Sequence, residues 1–357
     1  MKTLLILFGG MSSEHEVSCK SAASLIPYID RTLFDVLVVG ITKFGNWYLT
    51  DASPDEIVNK NWEKLSTNKS CFLSPNRAMN GLQVIDNNKI VEIPIDVIFP
   101  VMHGQLCEDG AIQGLFELCG IPYVGSDICA SACSMDKSVT KRIVENTGIL
   151  QAKYIIVTKE EFDNDAESVF LNIEEKFGSQ NPVFVKPASA GSSVGISKAH
   201  NRKELCEAFE KALKVCKKIL VEETVIGREV EIAVIGNKEP IASCVGEVFA
   251  ANEFYDFDAK YENDQSRTEI PANIPTGISN KLRNAAISVY QSLGCEGGAR
   301  VDFFLSPDKE VVFNEINTLP GFTQISMYPK LFEASGIDYS NLITMLCDYA
   351  VERGVKM

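Results

Sequence analysis

Apolar residues along this chain gather in short runs separated by stretches of helical spacing, and the two alternate. Residues 4–8, 36–41 and 97–101 are near-continuous apolar runs and read as buried strands. A Gly9-Gly10 turn leads from the first run to a helix beginning near Ser18. Residues 109–119 read as a second helix, with Ala111, Leu115, Phe116 and Leu118 apolar, and 122–124 as a short strand. This rhythm predicts a mostly parallel sheet covered by helices. A second unit starts near Ser134 with a helix running to Gly148, a C-terminal stop. Strands at 152–157 and 183–186 follow, with a charged helix between them. Then come a small-residue loop at 187–195, a helix at 202–215 and a strand at 219–222. The third unit begins near Glu223. It holds strands at 229–235 and 241–248, a polar loop at 254–267, a helix at 279–293, a hairpin and a C-terminal helix through Val351.

The hairpin concentrates the chemistry. Two apolar runs, 299–305 and 311–317, flank the turn signal Ser306-Pro-Asp-Lys309. A turn centred between Asp308 and Lys309 pairs Asp302 with Glu315 and Arg300 with Asn317. Alternation puts all four on one face, with opposed Cβ atoms roughly 5 Å apart. Two carboxylates that close repel unless a cation lies between them. Hard oxygen donors in small number suit Mg²⁺, which keeps positions open for phosphate oxygens. The competing interpretation is the solvated face of an edge hairpin, and a bulge would break the pairing.

The chain has 357 residues, enough for two or three domains, and at 45% hydrophobic and 23% charged its composition is that of a folded soluble protein. A net charge of −14 argues against nucleic-acid or anionic-membrane partners while leaving room for a local basic pocket. Eleven cysteines at irregular spacing suggest small buried hydrophobes in a reducing cytoplasm rather than a zinc site or disulfide framework. Gly9-Gly10 and the polar residues after them cut the N-terminal apolar run too short for a signal peptide, and no stretch approaches the ~20 apolar residues of a membrane span.

Other candidate groups lie at strand ends. The loop 187–195 follows a strand that ends in Lys186, and its small residues let backbone N–H groups approach a phosphate closely, although GxxxxGK[ST] is absent. Lys137 lies in the first turn of its helix, where a cation opposes the macrodipole unless an anion is bound; a solvent-exposed lysine is the alternative. Glu222 and Glu223 end a strand and Glu229 follows Gly227, placed for a ribose hydroxyl or a second metal edge, or simply exposed at a domain junction. His103, with Glu108 and Asp109, follows the strand 97–101, and Glu14 and His15 follow the first strand, the usual ligand side of an α/β sheet. Glu108 and Asp109 also suit helix capping.

Six ordered motifs span the chain. They are Phe8-Gly-Gly-Met-Ser-Ser-Glu14-His-Glu16; His103-Gly with Glu108-Asp109-Gly-Ala-Ile-Gln-Gly114; Gly125-Ser with Met135-Asp-Lys137; Lys186-Pro with Gly191-Ser-Ser193-Val-Gly195; Tyr255-Asp-Phe-Asp-Ala-Lys260-Tyr261; and Arg300, Asp302 with Asn314-Glu315-Ile-Asn317-Thr-Leu-Pro-Gly321. In this order the chain resembles the D-alanine–D-alanine ligases of the ATP-grasp superfamily over nearly its whole length.

The resemblance implies an α/β ATP-grasp fold of three domains: an N-terminal parallel-sheet domain (1–133), a central domain (134–222) and a C-terminal domain (223–357) with a lid at 254–267. It implies ATP-driven joining of two D-alanine molecules through a D-alanyl phosphate, for peptidoglycan precursors. By the same resemblance Lys137, Lys186 and Ser193 meet ATP phosphates, and Lys260 the transferring one. Glu222, Glu223 and Glu229 fall at adenine and ribose. Asp302, Glu315 and Asn317 hold two Mg²⁺ ions, with Mn²⁺ able to substitute. Glu14 takes the first D-alanine's ammonium, and His103 lies at the amino-acid end. Arg300 and the Gly321 N–H form an oxyanion hole. Ser192, linked to Tyr261 and Glu14, closes the site, and Ser326 and Met327 receive the second D-alanine. A cytoplasmic homodimer is implied, with no nucleic-acid or membrane partner. Two departures from the pattern are Cys107, where glycine is usual, and Phe257, where many relatives have tyrosine. Tyr261 and Met327 favour D-alanine as acceptor over D-serine or D-lactate. A catalytically idle nucleotide-binding regulator would have lost metal or phosphate residues, and none of the expected positions is lost.

Overall fold

The computed structural model describes residues 1–79, 81–249 and 267–355. Three sheets organise them. The first has seven strands in the order Lys89–Ile93, Leu82–Asp86, Lys69–Leu73, Trp47–Leu49, Phe34–Ile41, Lys2–Gly9, Val97–Met102. Lys2–Gly9 pairs in parallel with Phe34–Ile41 and with Val97–Met102. The other four pairings are antiparallel. The expected mostly parallel sheet is therefore a three-stranded parallel core extended by an antiparallel meander. The meander strands are short, and Lys89–Ile93 is largely exposed, so no long apolar run announces them.

Leu4 to Phe8 are fully buried because both faces of their strand are covered. Leu4, Ile6 and Phe8 pack with Ala22 of helix His15–Leu25 and with Leu342 and Leu346 of helix Tyr339–Arg353. Leu5 and Leu7 pack with Phe116 and Tyr123. The last helix of the chain thus covers the first strand. Arg353 secures it by donating through Nη2 to the Tyr123 carbonyl at 2.7 Å.

The second sheet is antiparallel, Ser197–Ala199, Val183–Pro187, Lys218–Glu223, Tyr154–Thr158, with helices Ala166–Phe177 and Arg202–Leu213 packed on one face through Phe170, Phe177 and Phe209. The third runs Arg267–Glu269, Ile241–Phe249, Arg228–Ile235, Gly298–Leu305, Val311–Asn317, Leu150–Gln151 and rests on helix Thr276–Ser292. The free faces of these two sheets enclose a cleft, and the loops of the first sheet close one end of it.

Several boundaries differ from expectation. The helix predicted from Ser134 to Gly148 is two helices, Ile128–Met135 and Lys137–Val144, followed by a 3₁₀ turn. Asp136 breaks it: its carboxylate accepts from Ser138 N at 3.0 Å and Val139 N at 3.3 Å, capping the second helix. Gly148 is left-handed (φ 73°) and ends the segment. The predicted strand at 122–124 reduces to one bridge, Ile98 to Tyr123. The first helix starts at His15 rather than Ser18.

The hairpin has the expected pairs, Arg300 with Asn317 and Asp302 with Glu315. Beyond Asp302 the register shifts, so that Phe303 faces Phe313 and Leu305 faces Val311. The turn is therefore centred on Asp308, and Asn314 is the extra residue of a bulge. Asn314 and Glu315 are both half-buried and line the cleft, where strict alternation would have turned one away.

Among the described residues no helix is long and apolar enough to cross a membrane, and the eleven cysteines are free thiols.

Candidate active site

The cleft divides into two adjoining cavities. The larger, about 330 Å³, lies between the second and third sheets. Phe184, Lys186 and Glu222 come from one wall, and Glu229, Phe304 and Asn314 from the other. Its charges are paired at depth. Glu222 accepts Lys186 Nζ on one oxygen and Lys141 Nζ on the other, each at 2.5 Å. Burial alone would raise the Glu222 pKa, but attraction by the two ammonium groups outweighs it and holds the carboxyl at about 2. For Lys186, burial opposes the charge but Glu222 and Glu315 win, and its pKa lies above the ordinary lysine value. Lys141 is 2% exposed, and there burial outweighs the attraction of Glu222, so its pKa is lowered. Lys186 also donates to Asn314 Oδ1 at 3.3 Å.

The family resemblance implies Glu222, Glu223 and Glu229 at adenine and ribose, and all three line this cavity. Both Glu222 oxygens are engaged by lysines, so the carboxylate balances charge beneath Lys186. Glu223 is half exposed and accepts from the Lys153 N–H at 2.8 Å, at the cavity rim.

The smaller cavity, about 140 Å³, is built from loops and helix starts. Glu14 precedes helix His15–Leu25 without capping it, and its buried carboxylate accepts the Ser192 hydroxyl. Gly104 has φ 79°, and a Cβ there would stand 2.5 Å from Glu14 Oε2, so only glycine fits. Ser192 and Ser193 hold φ of 47° and 58°, strained values for residues with a Cβ, which turn the loop 187–195 into the cleft. His103 is buried between Ser21 Oγ (3.1 Å), the Leu319 carbonyl (3.1 Å) and Glu108 Oε1 (3.5 Å). Burial disfavours its charged form, but Glu108, Glu14 and the Leu319 carbonyl outweigh that and raise its pKa. Helix Ala111–Cys119 has Gly110 at its N-cap with no side-chain cap, and Asp109, one residue before it, braces the loop by accepting from Leu106 N at 2.9 Å and Ala111 N at 3.1 Å. Cys107 is absent from the residues with positive φ, so the position does not require glycine. Ser326 opens helix Met327–Glu333, and its Oγ lies 2.8 Å from Thr323 Oγ1 and accepts from Thr323 N at 3.0 Å. Gly321 lies against it: a Cβ there would approach Ser326 Oγ to 2.8 Å. Met327 lines the cavity while packing into the apolar core.

The cavities meet at Ser193, Glu231 and Glu315. Lys137 Nζ reaches the Ala190 carbonyl (2.9 Å) and Glu315 Oε2 (3.4 Å). Arg300 grips Asp302 with two bonds of 2.8 Å, and Asn317 Oδ1 accepts from Leu319 N at 3.0 Å. Burial opposes the Arg300 charge, but Asp302 and Glu231 raise its pKa far above the ordinary value. Asp302, Glu315 and Asn317 thus offer hard oxygen donors on one face beside Lys137 and Lys186, a donor set that fits Mg²⁺ completed by phosphate oxygens. Among the described residues no three carboxylate, imidazole or thiol groups are placed to hold one ion alone.

The structure therefore gathers Glu14, His103, Lys137, Lys186, Ser192, Ser193, Glu222, Glu229, Arg300, Asp302, Glu315, Asn317, Gly321, Ser326 and Met327 around one cleft. Lys260, Tyr261, Phe257 and the lid, apart from Arg267, lie outside the described residues. Sequence reasoning missed Lys141, Asn314, Thr323 and Glu231. Only Glu231 carried a signal, two residues beyond Glu229 on the same strand face.

Comparison with known proteins identifies the family. The family model described as D-ala D-ala ligase N-terminus matches residues 3–126, and that described as D-ala D-ala ligase C-terminus matches 143–348. The D-alanine–D-alanine ligase of Acetivibrio thermocellus is 48% identical over 99% of this chain and 96% of its own length. D-alanine–D-alanine ligase A of Escherichia coli K12 is 44% identical over 98% and 95%. Among solved structures, the VanG D-Ala:D-Ser ligase of Enterococcus faecalis superposes with a TM-score of 0.88 at 37% identity, over 98% of this chain and 99% of that one. The D-alanine–D-alanine ligase of Coxiella burnetii does so with 0.85 at 31%, over 99% and 96%.

Proposed function

The chain belongs to the D-alanine–D-alanine ligase family, and from that premise we propose that its two cavities are the nucleotide and amino-acid halves of one active site. The enzyme is an ATP-dependent ligase that joins two D-alanine molecules, a step of peptidoglycan precursor synthesis. The observation that carries the residue assignment is the Asp302–Glu315 ladder pair with Asn317, which lies where the cavities meet and faces Lys137 and Lys186.

In this reading ATP enters the larger cavity with its base between Phe184 and Phe304 and its phosphates toward Lys186, Lys137 and the Ser193 loop. Asp302, Glu315 and Asn317 would hold Mg²⁺, which when bound neutralises phosphate charge. Glu14, fixed by Ser192 and by the close approach of Gly104, holds the ammonium of the first D-alanine. The carboxylate oxygen of that D-alanine then attacks the γ-phosphorus and ADP leaves, giving D-alanyl phosphate. The second D-alanine is held through its carboxylate by Ser326, with its methyl against Met327. Its amine attacks the acyl carbon, and Arg300 and the Gly321 N–H stabilise the oxyanion until phosphate departs. Donors aimed at such an oxyanion are each worth about 10²–10³ in rate. We read it as a cytoplasmic homodimer, the free thiols suiting a reducing compartment; sedimentation at a single-subunit mass would sink the dimer.

A D-serine acceptor is the second reading, motivated by likeness to the VanG structure. Phosphate release from ATP and Mg²⁺ decides between them, measured with D-alanine alone and with added D-serine or D-lactate, products identified by mass. Robust turnover to D-alanyl-D-alanine with D-alanine alone is expected. Turnover only on adding D-serine or D-lactate would overturn the acceptor assignment, and none with any would overturn the reading.

A further inference from the structure

Glu231 lies on strand Arg228–Ile235 directly opposite Asp302, which lies opposite Glu315, so three carboxylates form one row across three strands. Only two of them have a role in the proposed reaction. Glu231 is 6% exposed, faces both cavities and sits 2.9 Å from Arg300 Nε through Oε2. The same Nε lies 2.8 Å from Asp302 Oδ1, and Nη2 lies 2.8 Å from Asp302 Oδ2. The guanidinium therefore sits against two carboxylates: Asp302 accepts two hydrogen bonds from it, and Glu231 pairs with its charge through Oε2, which takes no hydrogen bond. One of them, Asp302, is also a donor for the metal–nucleotide complex, and a cation there competes with Arg300 for the same oxygens. The other, Glu231, pairs with Arg300 and is not among the residues read as holding the cation.

We propose that Glu231 is the positioning residue of the oxyanion hole: it keeps Arg300 aimed at the reacting carbonyl while Asp302 is drawn to the metal–nucleotide complex. This rests on the reading of Arg300 as oxyanion donor. Its consequence is conditional. Without nucleotide, Asp302 holds Arg300 and loss of Glu231 changes little; in the loaded enzyme, Glu231 is the anchor that remains.

The test is a double-mutant cycle on the full-length enzyme with Glu231→Gln, Glu231→Asp and Arg300→Lys, read as kcat, KM and Mn²⁺ affinity in the presence of ADP by electron paramagnetic resonance. Glu231→Gln should lower kcat about 10- to 100-fold, a part of the worth of an oxyanion donor, with KM for ATP and D-alanine changed less than about threefold. Glu231→Asp should recover part of the loss, and Mn²⁺ affinity should hold within about threefold. In the Arg300→Lys background, Glu231→Gln should cost less than about threefold, because the group it positions is gone. A kcat for Glu231→Gln near the parent's would overturn the proposal. So would an undiminished loss in the Arg300→Lys background, or a Mn²⁺ affinity lowered about tenfold in both backgrounds, which would make Glu231 a metal ligand. If Arg300→Lys alone leaves kcat intact, the oxyanion reading itself fails, and that result is distinct from the others.

Discussion

The two cavities are made differently. The larger is walled by paired strands, and the charges at its base neutralise one another at depth: Lys186 and Lys141 on Glu222. The smaller is assembled where loops and helix starts from distant parts of the chain meet, and hydroxyls, backbone carbonyls and close glycine contacts shape it. Strand positions are fixed by ladders on both sides, so they can carry charges whose misplacement would be costly. Loop positions can be varied one at a time, which suits a surface that chooses between similar amino acids. Changes in the larger cavity should therefore move nucleotide constants, and changes in the smaller one acceptor constants.

The largest expected effect tests that division directly. Lys186→Met removes the ammonium between Glu222 and the phosphate end of the cavity. We predict that kcat/KM for ATP falls by about 10²–10³, the scale of a lost transition-state charge contact, while KM for the acceptor D-alanine moves only a few-fold. An equal rise in acceptor KM would mean that the two halves are not separable.

Glu222 gives the next effect, in stability rather than rate. Two buried ammonium groups hold its folded pKa at about 2, below the ordinary glutamate value. Between those values the unfolded chain binds more protons, so stability rises with pH; the contribution is complete above the unfolded value and lost as pH falls toward the folded one. The shift corresponds to roughly 3 kcal/mol. Glu222→Gln should flatten the acid limb of thermal melts taken from about pH 5 down to pH 2. A limb as steep as the parent's would show that the buried pair is not what acid disrupts.

Ser326→Ala should follow, as the counterpart in the smaller cavity. Losing one hydrogen bond to a carboxylate costs about 1.5–3 kcal/mol, so acceptor KM should rise roughly 10- to 100-fold with KM for ATP unchanged. Movement of the ATP constant instead would place Ser326 outside the acceptor subsite.

How far each cavity could be read in the sequence follows the same contrast. The pairs Arg300–Asn317 and Asp302–Glu315 were legible because a short turn sets hairpin register locally. The bulge at Asn314 was not, since the pattern does not say where half a residue of mismatch is absorbed. Glu231 faces Asp302 from a strand 71 residues earlier in the numbering, and no local pattern announces such a neighbour. Lys141 looked like any helix lysine until the second sheet buried it against Glu222. In the N-terminal sheet the three parallel strands were plain from their apolar runs, whereas the meander strands, part exposed and only three to five residues long, were missed. Residues of the smaller cavity were found through the motifs of the family resemblance and not from periodicity, because a loop has none.

Thr323 offers the smallest and sharpest probe of the loop-built half. Its N–H donates to Ser326 Oγ at 3.0 Å and its own hydroxyl lies 2.8 Å from the same atom, so it sets the direction in which the Ser326 proton points. Thr323→Val keeps the shape and the backbone bond and removes only the hydroxyl. One neutral hydrogen bond is worth about 0.5–1.5 kcal/mol, so acceptor KM should rise about 3- to 10-fold, with the ATP constant and melting temperature near the parent's. Thr323→Ser restores the hydroxyl without the methyl and should restore the constant. Failure of serine to rescue would assign the loss to packing of the Thr323 methyl group. An unchanged constant in the valine variant would mean that the backbone bond alone orients Ser326, and that the smaller cavity owes its selectivity to main chain more than to side chains.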